Sequence, residues 1–159
     1  MRILKRCLTL LALASALVVP LAAGACDVPG NLPSVRAALI QGINAQRSGK
    51  GLAALSPSAQ LSEAAQKHAC DNAGRNKMSH TGRDGSKFGT RIKRAGYRYG
   101  KANENVGYGF REPGAMIQGW MGSDGHRRNI LARGTRDIGV GMAVGSDGNR
   151  YWVMVTAGP

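Results

Sequence analysis

The sequence predicts an α+β domain built in layers, and three observations carry that reading. Two amphipathic helical runs fill the first half of the chain, an antiparallel hairpin closes it, and helices and strands do not alternate as they would around a parallel sheet. A small antiparallel sheet of about three strands against three or four helices satisfies all three.

Residues 1–25, MRILKRCLTLLALASALVVPLAAGA, read as a secretory signal rather than part of the fold. Arg2, Lys5 and Arg6 form the basic start, an apolar stretch follows from Cys7 to Val19, and Ala23-Gly24-Ala25 supplies small residues for cleavage. The apolar run is shorter than the ~20 residues that span a bilayer, and Pro20 interrupts its end. The expected mature chain, 26–159, is a single domain without a transmembrane segment, acting as a monomer in the periplasm or the medium. Cys26 directly after the cleavage site also admits a lipid-anchored form.

The first helix is expected over Leu32–Ser48, where Val35, Leu39 and Ile43 recur at helical spacing, and Gly49-Lys50-Gly51 stops it. Ser56-Pro57-Ser58 opens a second, with Leu61, Ala65 and Ala69 on one face and Gly74 at its end. Cys70 falls in its last turns. Of three cysteines only Cys26 and Cys70 survive removal of the signal, an even pair in an oxidising compartment, so a disulfide between them is expected. His68, with no second ligand at helical spacing, reads as a packed structural residue.

A shorter helix follows at 87–96, with Phe88, Ile92 and Ala95 inward. ENVGYGF alternates Val106, Tyr108 and Phe110 with glycine, the pattern of a strand with one apolar side. Pro113 opens a helix carrying Met116, Ile117, Trp120 and Met121. The hairpin consists of DIGVGMAV, the turn GSDGN and YWVMVT, and the glycine face of its first strand predicts close approach of another backbone.

Charge narrows the partners. Three of the 22 basic residues and none of the nine acidic ones lie in the signal, so 19 bases against nine acids remain. Such a surface attracts polyanions of a cell envelope, whether lipid phosphates or wall polymers. Specific nucleic-acid binding is not expected: aromatic residues, the platforms on which bases stack, are only 5% of the chain.

Two of the three histidines, His80 and His126, stand in segments rich in glycine and serine, and Glu104 lies between asparagines at the start of a strand. These three are the candidates to converge, because loops on a rigid scaffold carry most functional side chains. Two histidines and a carboxylate could serve as three ligands of a catalytic metal with an open fourth position. Asp84, Arg91, Arg127 and Arg128 have simpler roles open to them: Asp84 as a turn or helix-entry residue, Arg91 as a helix-surface or loop-bridging base, and Arg127 with Arg128 as solvated charge. Asn129 is suited to fastening its segment through backbone groups, with Ile130 and Leu131 plugged into the core.

The order MSH, RDGSKFGTRIKRAGY, NENVGYG, MIQGWMGSDGHRRNIL, DIGVGMAVGSDGNRYWVMV resembles a bacterial member of the CAP or SCP-like superfamily, which includes cysteine-rich secretory proteins, insect venom antigens and plant pathogenesis-related proteins. The resemblance spans roughly Leu32 to Thr156. It implies a three-layer α-β-α sandwich and a solvent-facing cleft of two histidines and two acidic residues able to bind a divalent cation such as Zn or Mg. The matching positions are His80, Glu104 and His126. The chain departs from the pattern after Trp120, where Met121, Gly122 and Ser123 stand in place of the second glutamate and Asp124 adjoins the histidine, so Ser123 and Asp124 are the accessory candidates. The resemblance implies a binding module for a lipid, a divalent cation, a protein or an anionic envelope component. The alternative is a metal-assisted hydrolase, a peptidase or esterase, using the same cleft.

Overall fold

The computed structural model describes residues 26–159, and the expected signal, 1–25, lies outside the described residues. In chain order the elements are α1 (Leu32–Ser48), β1 (Ser56–Pro57), α2 (Ala59–Ala73), α3 (Phe88–Arg94), β2 (Lys101–Tyr108), α4 (Pro113–Gly122), α5 (Asp124–Ile130), β3 (Asp137–Val144) and β4 (Arg150–Gly158). The strands make one sheet in the order β1-β3-β4-β2.

The hairpin strands β3 and β4 pair antiparallel, as do β4 and β2, but β1 lies parallel to β3, so the sheet is mixed rather than purely antiparallel. Of the three residues read as a helix opener, only Ser58 plays that part, its hydroxyl accepting from the Leu61 amide. Ser56 and Pro57 pair with Asp137 and Ile138 instead. The bonds are donated by the Ser56 and Ser58 amides on either side of the proline, which has no N–H to give. A two-residue strand offers no periodicity to read.

Alternation along the strands feeds two cores. Ile138, Val140 and Met142 of β3, with Trp152 and Met154 of β4, pack against Leu39 and Ile43 of α1 and Met116 and Trp120 of α4. Tyr151, Val153 and Val155 point the other way, to Leu61, Ala65 and Ala69 of α2 and Ile92 of α3. Helices thus cover both faces, and the architecture is the α-β-α sandwich. A Cβ at Gly141 would lie 2.4 Å from the Gln66 nitrogen and 2.5 Å from the Ala65 carbonyl carbon, so the α2 backbone rests directly on β3.

Two fasteners complete the frame. Cys26 is bonded to Cys70, with Cα atoms 5.2 Å apart, which ties residue 26 to the last turn of α2. The bridge also takes the thiol that a lipid anchor on Cys26 would need. At the end of α1 the Arg47 side chain is buried without a carboxylate partner, donating from Nε to the Ala53 carbonyl (2.9 Å) and from Nη1 to those of Ile130 (2.8 Å) and Ala132 (2.9 Å).

The strand β2 starts at Lys101, ahead of ENVGYGF, and of its expected apolar side only Val106 goes inward. Tyr108 and Phe110 are 43% and 37% exposed. Tyr108 rests its ring on Tyr151 with centroids 5.1 Å apart, and Phe110 lies beyond the strand. Among the described residues no helix is long and apolar enough to cross a membrane.

Candidate functional site

The strand β2 is an edge strand, and the candidate residues gather along it. Glu104 sits in its middle, not at its entry, and shares a face with Val106, so its side chain enters the α2–α3 layer. There the carboxylate is almost fully buried, with 1% of the side chain exposed. Its Oε1 accepts from His80 Nδ1 at 2.9 Å and its Oε2 from Arg91 Nη2 at 2.6 Å. Arg91 reaches from α3 and also donates to the carbonyls of Ser86 (2.7 Å) and His80 (3.1 Å), so one guanidinium holds the carboxylate and the loop that carries the histidine. The His80 ring is 54% exposed, and with Nδ1 on the carboxylate its Nε2 is left for the cleft.

The other face of β2 meets α4 and α5. Gly107 lies against Met116 and Trp120, and the Trp120 indole donates to the Val106 carbonyl at 2.9 Å. Buried Asn105 donates to the His126 carbonyl at 3.0 Å, and Asn129 donates to Asn105 Oδ1 (2.8 Å) and the Glu104 carbonyl (3.1 Å). The segment SDGHRRNIL is therefore not a loop: it forms α5, pinned to β2 by Asn129 as its sequence suggests, with Ile130 in the core. His126 is half-buried, and its pKa is lowered by that burial and, secondarily, by the charge of His80. Ser123 joins α4 to α5. Asp124 faces solvent, pairing with Arg127, and does not turn toward Glu104.

His80, Lys87, Phe88, Ala102, Asn103, Glu104 and Asn129 line a cleft of 340 Å³ at this edge. A sequence model of the cysteine-rich secretory protein family, the CAP domain, matches residues 40–156. The chain belongs to this family. It is 32% identical over 116 residues to the protein YkwD of Bacillus subtilis, covering 72% of this chain and 45% of that protein. It is 29% identical over 99 residues to the membrane protein YlbC of the same organism, covering 62% and 29%. The chain thus spans less than half the length of these curated relatives. An extracellular protein containing an SCP domain from Bacillus anthracis superposes with a TM-score of 0.68 at 25% identity, over 86% of this chain and 45% of that one. An outer surface protein of Borrelia burgdorferi gives 0.68 at 20% identity, over 76% and 89%, a likeness of fold alone.

The CAP domain brings His80 and Glu104 into contact, whereas His126 approaches from the opposite layer. Among the described residues no group of three or more His, Cys, Asp or Glu side chains is disposed to hold a metal ion. Both oxygens of Glu104 are engaged, one of them by a guanidinium, so His80 Nε2 is the unengaged donor of this pair. Of the two roles the sequence leaves open to Arg91, the structure shows the loop bridge rather than the surface charge, and adds the pairing with Glu104, which the sequence reading does not contain. Arg91 stands three residues after Phe88 and four before Ala95, on the face read as inward, and that spacing was the available signal. Lys87 and Asn103 carry no comparable signal.

Proposed function

We propose that this CAP domain works outside the cytoplasm as a binding module whose His80–Glu104 cleft receives an anionic component of the cell envelope. The observation that carries this reading is the double engagement of Glu104 by His80 and Arg91, which leaves the cleft no free carboxylate and gives it a charge-compensated floor. What the walls offer to a ligand is then Lys87, the Nε2 side of His80 and the amides of Asn103 and Asn129, with Phe88 and Ala102 as an apolar flank. Lys87 now donates to Thr81 Oγ1 at 2.8 Å in an exposed position, from which its flexible stem can turn to a phosphate or carboxylate. The basic surface steers polyanions toward such a cleft. An extracytoplasmic setting agrees with the export signal read over 1–25, the Cys26–Cys70 bridge and the extracellular description of the Bacillus anthracis relative.

The test is co-sedimentation with a poly(glycerol phosphate) polymer, against an uncharged glucan of similar length. Lys87→Ala and His80→Gln should each weaken binding about fivefold or more, and Arg133→Ala, an equal charge loss at another exposed site, about twofold or less. Equal losses in Lys87→Ala and Arg133→Ala would reduce the interaction to surface charge and overturn the cleft assignment. A hydrolase is the second reading, favoured by one feature: a buried carboxylate on Nδ1 orients an imidazole with Nε2 outward, as in a general base. Peptide or ester turnover abolished by His80→Gln would move the assignment there.

A further inference from the structure

A second cavity, of 240 Å³, opens on the α2–α3 side, between α2, the loop around Asp84 and the end of α3. His68 forms part of its wall with a side chain that is 0% exposed. Its Nε2 lies 2.7 Å from the Ser79 carbonyl oxygen. A carbonyl only accepts, so Nε2 carries the proton and, in the neutral ring, Nδ1 is a bare lone pair. That nitrogen is buried and has no hydrogen-bond partner. Glu104, Arg91 and Asp71 are its charged neighbours; of these Asp71 lies 4.0 Å from Nδ1 and is itself an acceptor, so it brings no proton to the neutral ring. Burial holds the pKa of His68 below the ordinary imidazole value, which favours the neutral ring. An unsatisfied buried acceptor is costly, and a ligand that brought it a donor would recover that cost.

The mouth has the opposite character. Lys67, Arg83 and Arg94 line it with side chains 72%, 66% and 61% exposed. They now pair with Glu63, Asp71 and Asp84, contacts that at such exposure are weak and exchange readily. With Arg91 the wall holds four bases against two acids. A ligand therefore meets cationic donors on entering and an acceptor at depth. A volume of 240 Å³ corresponds to about eight waters at ~30 Å³ each, room for one small ring. His68 and Asp71 alone fall short of a cation site, and no third ligand joins them among the described residues.

We propose that this cavity is a second ligand site, for a hydroxylated organic anion of one-ring size, a sugar acid, whose hydroxyl donates to His68 Nδ1 and whose carboxylate meets Arg94 and Lys67. The site is separate from the cleft; Arg91, which lines the cavity, donates to Glu104, which lines the cleft.

The experiment is titration of the 15N-histidine-labelled protein with D-glucuronate, with D-glucose and acetate as partial ligands. Glucuronate should move the His68 Nδ1 resonance toward lower shift, as an imidazole nitrogen does on accepting a hydrogen bond, and leave the two other histidines unmoved. Glucose and acetate should bind at least about tenfold more weakly, each keeping only half of the recognition. Ala95→Phe, which fills the cavity from its rim without removing a hydrogen bond, should abolish the shift, and Arg94→Ala should weaken it about fivefold. A response at His80 or His126 in place of His68 would put the anion in the cleft and overturn this site while leaving the cleft reading intact. No response at any histidine, or one unchanged in Ala95→Phe, would overturn it as well.

Discussion

Replacing Arg91 by methionine should unfold this domain far more readily than the loss of a surface charge would. The side chain is 10% exposed and makes three hydrogen bonds, to the carbonyls of Ser86 and His80 and to Glu104 Oε2. Methionine keeps much of the apolar stem but strands a carboxylate that is 1% exposed, leaving it His80 alone. Breaking a buried ion pair from one side costs about 3–5 kcal/mol, because the remaining charge is uncompensated. For a domain of this size that lowers the melting temperature by about 10–20 °C. Urea unfolding at pH 7 reads it directly through Trp120 and Trp152, both buried. The double variant Arg91→Met, Glu104→Leu tests the cause: with the stranded charge gone it should recover about 2 kcal/mol or more over the single variant. A single-variant cost under about 1 kcal/mol, the range of exposed pairs, would refute the reasoning, as would a double variant no more stable than the single one.

Gly141→Ala should cost about 3 kcal/mol, at the upper end of overpacking, because the new Cβ meets α2 backbone at 2.4 and 2.5 Å. Gly125→Ala, whose Cβ meets nothing nearer than 4.0 Å, should be neutral or stabilising by up to about 1 kcal/mol, and thermal unfolding compares the two. His68 and His126 both have folded-state pKa values below the ordinary 6.5, so the unfolded chain binds more protons as acidity rises. Their contribution to stability is complete above about pH 6.5 and is lost as pH falls through it; urea midpoints from pH 8 to 5 should show this decline, and His68→Gln should flatten part of it. Cys26→Ser should lower stability by about 4 kcal/mol on the chain-entropy account of a 44-residue separation, measured against the oxidised protein in urea.

What the sequence disclosed follows from the reach of each physical signal. Val35, Leu39 and Ile43 repeat at a period that only a helix uses, and Ile138, Val140 and Met142 at one that only a strand uses, so α1 and the hairpin were legible. The glycine face of β3 announced the close approach of α2 for the same local reason. β1 was not legible, because two residues carry no period. α5 was hidden by Gly125 and Ser123, which read as loop chemistry although Asp124 suits a helix's first turn. At the site, His80 and Glu104 were named and do meet. The alternation that sends Glu104 toward α3 and Asn105 toward α5 could be read from the strand, but which helix covers which face is a tertiary fact. The loop-bridging role of Arg91 was legible, but its pairing with Glu104 was not, because a charge in a short helix is usually solvated and only a buried carboxylate on another element makes it otherwise.

Arg47 ends with more than a packing role. Its one guanidinium satisfies carbonyls in the 49–55 connection, at the close of α5 and just beyond it, while its own carbonyl accepts from the Leu52 and Lys50 amides. None of these segments can detach without leaving a buried cation short of acceptors, so local fraying is penalised at both ends of the contact. The two regions, some eighty residues apart in sequence, are thereby joined in one cooperative unit, whose amides should exchange with solvent at a common rate set by a shared opening. The helix that carries His126 is then no more mobile than the end of α1.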